Sequence, residues 1–182
     1  LYVSNHSRYG LEVPSFVGAL YAAKGVLMRG AADRLHFGQL HGEFLRYFGG
    51  INATRANMDT VMKQGHDLLV YPGGGHEVLK PSTIPNYELM WKERLGFARM
   101  AIKHGYPIVP CASIGMEDMM DVLFDIPLDL VRKDLKLPVP APILPHRLER
   151  VYFWFGEPIP TTQYNGEWQN GEFARQVRDK VK

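Results

Sequence analysis

The chain has 182 residues, 46% of them hydrophobic and 22% charged, which is enough for one domain with a full core and too apolar for a disordered chain. Lysine and arginine number 21 against 19 acidic residues, and a formal charge of +2 leaves no electrostatic footprint for nucleic acid. The lone cysteine, Cys111, excludes an internal disulfide framework and a cysteine-based zinc site, and no run approaches the roughly 18 apolar residues of a membrane-spanning helix.

Leu1 opens directly onto an apolar run with neither an initiator methionine nor a signal-peptide pattern, so a segment upstream of it is expected. Residues 1–4 read as a short strand and residues 5–10 as a polar turn. Pro14 suits the first turn of a helix that continues through residues 16–23 and stops at Lys24-Gly25. A second short strand is expected at residues 26–29. Residues 38–48 put Leu40, Phe44, Leu45 and Phe48 on one helical face, and Gly49-Gly50 ends the run. A short helix at residues 57–63 precedes the clearest buried strand, residues 67–71, where Leu68, Leu69 and Val70 follow one another. A helix at residues 95–104, strands at 107–112 and 150–155, and an amphipathic helix at 173–182 complete the series. Strands separated by helices specify an α/β domain with a largely parallel central sheet flanked by helices. Pro138, Pro140, Pro142 and Pro145 make residues 137–145 a loop or extended cover. With no internal repeat and no linker, residues 1–182 form a single domain.

Two stretches carry candidate chemistry. In Asn5-His6-Ser7-Arg8-Tyr9-Gly10-Leu11-Glu12, a strand ends near a histidine and a carboxylate follows where a helix begins. A histidine there stands at the carboxyl edge of the sheet, where open α/β folds place ligands. A carboxylate beside it can keep one ring nitrogen protonated and leave the other free to take a proton from a hydroxyl. The second stretch is Tyr71-Pro72-Gly73-Gly74-Gly75-His76-Glu77. Three glycines after a buried strand let backbone N–H groups approach a ligand closely, and Glu77 suits a polar anchor. It is neither a P-loop nor a dinucleotide fingerprint. Taken singly, each stretch also fits a plain turn.

Together, in this order, they resemble the glycerolipid acyltransferase superfamily, the group with a His-x4-Asp motif. Within it the chain is similar to the branch of monoacylglycerol and diacylglycerol acyltransferases that includes the transmembrane protein 68-like proteins. The likeness spans VSNHSRYGLEVP (3–14), LLVYPGGGHEVL (68–79), YELMWKERLGFARMAIKHGYPIVPCAS (87–113) and FGEPIP (155–160). It implies transfer of a fatty acyl group from a thioester to a hydroxyl. His6 would be the general base and Glu12 its orienting partner. Arg29, Gly73, Gly74, Gly75, His76 and Glu77 would contact substrate, with the glycine amides or Arg29 supplying oxyanion donors. The donor would be acyl-CoA or an acyl carrier protein, with no resident cofactor and no metal. The acceptor would be a lipid hydroxyl, met at an intracellular membrane surface.

The chain departs from that pattern in three ways. Five residues, not four, separate His6 from the acid; the acid is glutamate; and the glycine loop lacks the Glu-Gly-Thr-Arg block of members that use phosphorylated acceptors. A neutral acceptor, mono- or diacylglycerol or a long-chain alcohol, is therefore favoured. The altered spacing keeps open an inactive acyl-lipid-binding domain, and the same base acting on water would make a thioesterase.

The remaining features read more plainly. His36 and His41 beside Glu43 lack the spacing of a metal site, and His66, His104 and His146 read as turn or surface residues. Cys111 reads as inert packing. Arg8, Arg29, Arg34 and Arg55 are either contacts for coenzyme A phosphates or solvated charge. Residues 35–48 and 116–130 are either core cover or a soft apolar wall for an acyl chain, and Asp118, Asp121, Asp125 and Asp129 argue against anionic lipid. Nothing in the sequence reports an oligomeric state.

Overall fold

A computed structural model describes residues 1–128, 135–141 and 150–182, and within these it leaves the side chains of residues 35, 36, 39–41 and 141 undescribed. Asp129, Leu130, Pro142, Pro145 and His146, and the side chains of His36, Leu40 and His41, thus lie outside the described residues. In chain order the elements are β1 (Tyr2–Ser4), α1 (Glu12–Lys24), β2 (Arg29–Ala32), α2 (Gln39–Tyr47), β3 (Ile51–Asn52), α3 (Arg55–Lys63) and β4 (Leu68–Val70). They continue with α4 (Gly75–Val78), α5 (Gly96–His104), β5 (Val109–Ile114), β6 (Asp121–Pro127), β7 (Lys136–Ala141), β8 (Tyr152–Phe155) and α6 (Gly171–Val181).

The main sheet has the order β3-β2-β4-β1-β5-β8, with every pair parallel except the antiparallel edge pair β5–β8. Residues alternate between its two faces, as a strand requires. Val3, Leu68 and Ile108 pack with Met58 and Met62 of α3, with Phe97, Ala101 and Ile102 of α5, and with Val177 of α6. Leu69 and Cys111 face the other way, onto Phe16 and Leu20 of α1. The chain is thus a helix–sheet–helix sandwich, which agrees with the α/β reading. The adjacent central strands β1 and β4 lead to helices on opposite faces, α1 and α5. Their carboxyl ends therefore lie where the chain turns to opposite faces, the position at which open α/β sheets hold ligands.

The sequence misplaces some elements. The strand expected at residues 26–29 lies at Arg29–Ala32. Val26 and Met28 instead pack into the α1-side cluster before pairing begins, while Gly30, Ala31 and Ala32, which carry little apolar signal, make the ladder. Of residues 116–130, read as core cover or a soft apolar wall, the described part divides into a short 3-10 turn at Met116–Met119 and the strand β6. β6 pairs antiparallel with β7, so of the proline stretch, read as a loop or extended cover over residues 137–145, the described residues 137–141 are extended.

A buried polar network braces the carboxyl edge of the sheet from this side. Lys80 Nζ stands 3.0 and 3.2 Å from the two carboxylate oxygens of Glu117, and both side chains are buried. Glu117 also accepts the amides of Arg8 (3.2 Å) and Tyr87 (2.6 Å). Removing one member of such a pair strands the other charge without solvent. Lys80→Met is therefore expected to cost about 3–5 kcal/mol, read from urea denaturation, and a loss below about 1 kcal/mol would contradict the network's bracing role.

Candidate active site

β1 ends at Ser4, but its pairing with β5 continues through a side chain. Asn5 Nδ2 donates to the Ser113 carbonyl at 3.0 Å, and Asn5 Oδ1 accepts the Ser113 amide at 2.8 Å. The backbone is thereby fixed one residue before His6. The His6 amide then donates to Glu77 Oε2 at 2.9 Å, and the other Glu77 oxygen accepts the Met90 amide at 3.0 Å. Glu77 is fully buried, so it clamps the His6 backbone to the glycine loop. Burial pushes its carboxyl above the usual range, and the two amide donors oppose that rise. Gly73 is glycine because a Cβ there would overlap the Glu77 carboxyl group.

After His6 the chain reverses through Tyr9 (φ 63°) and Gly10 (φ 69°) and enters α1. This reversal returns Glu12, in the first turn of α1, onto the histidine: His6 Nδ1 and Glu12 Oε1 are 2.5 Å apart. The five-residue spacing and the longer side chain are thus accommodated together. Ser7 Oγ donates to the second carboxylate oxygen, Glu12 Oε2. Glu12 is fully buried. Both of its oxygens have partners, and it stands in the first turn of α1, at the positive end of the helix dipole. In a neutral ring, a carboxylate oxygen facing Nδ1 favours the tautomer with the proton on that nitrogen and the lone pair on Nε2. The Tyr71 ring stacks on the imidazole at 4.1 Å between centroids, 18° from parallel. Burial, with Glu12 nearby, pushes the Tyr71 phenol well above its ordinary value. On the ring's far margin, a Cβ at Gly10 would come within 2.9 Å of His6 Cε1, so the turn seats the imidazole only because residue 10 has no side chain.

The glycine loop has one face on this pair and another on a cavity of about 680 Å³. Tyr71, Pro72, Gly74 and Gly75 line the cavity, and so do Arg34, Arg55 and Arg94. The Gly74 amide donates to the Tyr71 carbonyl at 3.1 Å, whereas those of Gly73 and Gly75 have no hydrogen-bond partner among the described residues. His76 follows in α4.

The structure therefore brings His6, Glu12, Gly73, Gly74, Gly75 and Glu77 together, but two of the arginines read from sequence lie elsewhere. Arg29 starts β2, level with Leu68, at the end of the strand away from the glycine loop, and its side chain lies over Gly49. Arg8 is buried, with its guanidinium on the carbonyls of Lys80, Pro81 and Ile84 and on Asn86 Oδ1, so it is a structural clamp and not a phosphate contact. Glu77, expected to touch substrate, has both oxygens turned to backbone amides. Ser7, Tyr71 and Arg94 went unread. Ser7 and Tyr71 adjoin the motif residues, and that adjacency was their one available signal.

The fold matches that of a solved acyltransferase: the crystal structure of the 1-acyl-sn-glycerophosphate acyltransferase PlsC from Thermotoga maritima. The two superpose with a TM-score of 0.52 at 17% identity, over 99% of this chain and 64% of that one. Residues 31–135 match the family model described as diacylglycerol acyltransferase, and the chain belongs to that family. Phytyl ester synthase 2, chloroplastic, of Arabidopsis thaliana is 28% identical over all of this chain and 30% of its own length. The bovine DGAT1/2-independent enzyme synthesizing storage lipids is 26% identical over all of this chain and 53% of its own. Mouse acyl-CoA wax alcohol acyltransferase 2 is 33% identical over 43% of this chain and 24% of its own. The chain thus spans from about a quarter to about half of the length of these relatives.

Cys111 gives a check on the placement of the sheet beneath the site. Burial pushes its thiol up to about 12, so at pH 8 it stays protonated and unreactive. Iodoacetamide at pH 8 is expected to leave the native protein unmodified and to alkylate it only after denaturation. Rapid labelling of the native chain would contradict that placement.

Proposed function

We propose that this domain transfers a fatty acyl group from acyl-CoA to the hydroxyl of a neutral lipid, with His6 as general base. The observation that carries the reading is the contact of His6 Nδ1 with the buried Glu12 carboxylate, 2.5 Å, which leaves Nε2 available. Nε2 takes the proton of the acceptor hydroxyl as its oxygen attacks the thioester carbonyl carbon. The imidazolium so formed is stabilised by Glu12. The tetrahedral oxyanion collapses, the carbon–sulfur bond breaks, and the proton on Nε2 passes to the departing thiolate. Ester and free thiol result, and the scheme calls for no resident cofactor. The amides of Gly73 and Gly75, without a partner among the described residues, suit the oxyanion, since a preorganised donor stabilises charge as it develops.

Arg34, Arg55 and Arg94 around the cavity support a donor that carries phosphates, as coenzyme A does. The glycine loop holds no arginine, which favours an uncharged acceptor over a phosphorylated one. Relatives are named for a phytyl ester and for a wax alcohol, and both names fit a long-chain alcohol in that place. A coenzyme A donor and a lipid acceptor place the work at an intracellular membrane surface. No helix among the described residues is long and apolar enough to cross a membrane.

Labelled long-chain acyl-CoA, offered with monoacylglycerol, diacylglycerol, fatty alcohol and glycerol 3-phosphate, tests this reading. A labelled neutral ester is expected. His6→Ala and Glu12→Gln should each lower its formation about 10²–10⁴-fold without loss of folding. Label in a phosphorylated lipid would contradict the acceptor, free fatty acid alone would show a thioesterase, and full activity in His6→Ala would overturn the mechanism.

A further inference from the structure

We propose that the outer face of the β6–β7 hairpin is the surface by which the domain docks on zwitterionic lipid. This deepens the acyl-transfer reading and rests on it, because a lipid acceptor must be reached in its own phase. The register of the hairpin sorts its residues onto two faces. Phe124 pairs with Val139 and Ile126 with Leu137, while Asp125 pairs with Pro138 and Val122 with Pro140. The second set faces the body of the protein: Asp125 accepts the Ser82 amide and hydroxyl, and the buried Pro138 gives its carbonyl to Tyr9 Oη at 3.0 Å.

The first set faces outward, and there the usual rule fails. The solvent face of a two-stranded sheet is ordinarily polar, yet this one is apolar. Leu123 at the bulge is 66% exposed, Phe124 55%, Ile126 43% and Leu137 38%. Asp125, in the middle of β6, is turned inward and satisfied there, and Asp121, opposite residue 141, stands at the end of the outer row, so the stretch from the bulge to Leu137 carries no charge.

Two observations favour lipid as the occupant. The hairpin is joined to the reacting centre: Tyr9, which holds Pro138, packs on Met116, Met119 and Met120 and belongs to the reversal that seats the His6 ring. A surface resting on the outer face would therefore lie beside the site that consumes the acceptor. Of the described charges flanking the outer row, Asp118 and Asp121 stand at one end and Lys136 at the other, so no basic cluster among the described residues attracts anionic headgroups, and zwitterionic ones are favoured.

Flotation of the purified protein with phosphatidylcholine vesicles tests the proposal, using the double variants Leu123→Ser/Phe124→Ser and Ile126→Ser/Leu137→Ser. Each is expected to weaken vesicle binding about tenfold or more while melting like the parent. Tyr47→Ser, at an exposed aromatic on α2, should leave binding unchanged, and added phosphatidylglycerol should not strengthen it. Both double variants should keep turnover of a water-soluble short-chain donor and acceptor. Undiminished binding by both doubles, binding that requires phosphatidylglycerol, or an equal loss in Tyr47→Ser would overturn the proposal. So would a lipid-free dimer that the doubles abolish, since a second copy would then cover the face. If the parent turns over no acyl donor but floats through its hairpin, the acyl-transfer reading fails and the docking surface stands.

Discussion

One imidazole, held by two carboxylates that see no solvent, sets the demands on the rest of this structure. Glu12 grips the His6 ring at Nδ1, and Glu77 grips the His6 backbone at its amide. Two buried acids so near one another would be costly in an apolar interior, and each is accommodated differently. Glu12 sits in the first turn of α1 with Ser7 and His6 as partners, and Glu77 accepts two backbone amides. Around them the sequence has little freedom: residue 73 has no room for a side chain beside Glu77, and residue 10 has none beside the ring.

The sheet explains why these groups meet. β1 and β4 are neighbours in space though separated by more than sixty residues, and their carboxyl ends deliver the His6 turn and the glycine loop to one edge of the sheet. Beneath, the Lys80–Glu117 pair ties the end of the glycine loop to the turn that precedes the hairpin. The His6 turn, glycine loop and hairpin therefore form one connected body at this edge. The arginines of the cavity come from the other side of the glycine loop, so donor and acceptor would approach His6 from different directions.

Much of this was legible from residues alone, for identifiable reasons. The run Leu68-Leu69-Val70 is buried on both faces, and such strands announce themselves. The His6 and glycine stretches stood out by residue type, and it was their order and their resemblance to a known superfamily that joined them into one site. β2 was misplaced because its ladder is built from Gly30, Ala31 and Ala32, whose small side chains leave no periodic trace. The hairpin was hidden because an inward-facing aspartate breaks the apolar pattern of β6 and prolines stand in β7. Arg8 and Arg94 look alike in sequence; only long-range contacts bury the first in carbonyls and leave the second at the cavity.

The account depends most on which nitrogen of His6 bears the proton, because only a ring protonated at Nδ1 presents Nε2 to a hydroxyl. Nitrogen-15 NMR of the histidine ring in its neutral form reads this directly. The contact with Glu12 predicts a protonated Nδ1 and an unprotonated Nε2, with the Nδ1 proton shifted downfield and that shift lost in Glu12→Gln. A ring protonated at Nε2, or one whose signals do not respond to Glu12→Gln, would contradict the assignment of His6 and Glu12 as a working pair.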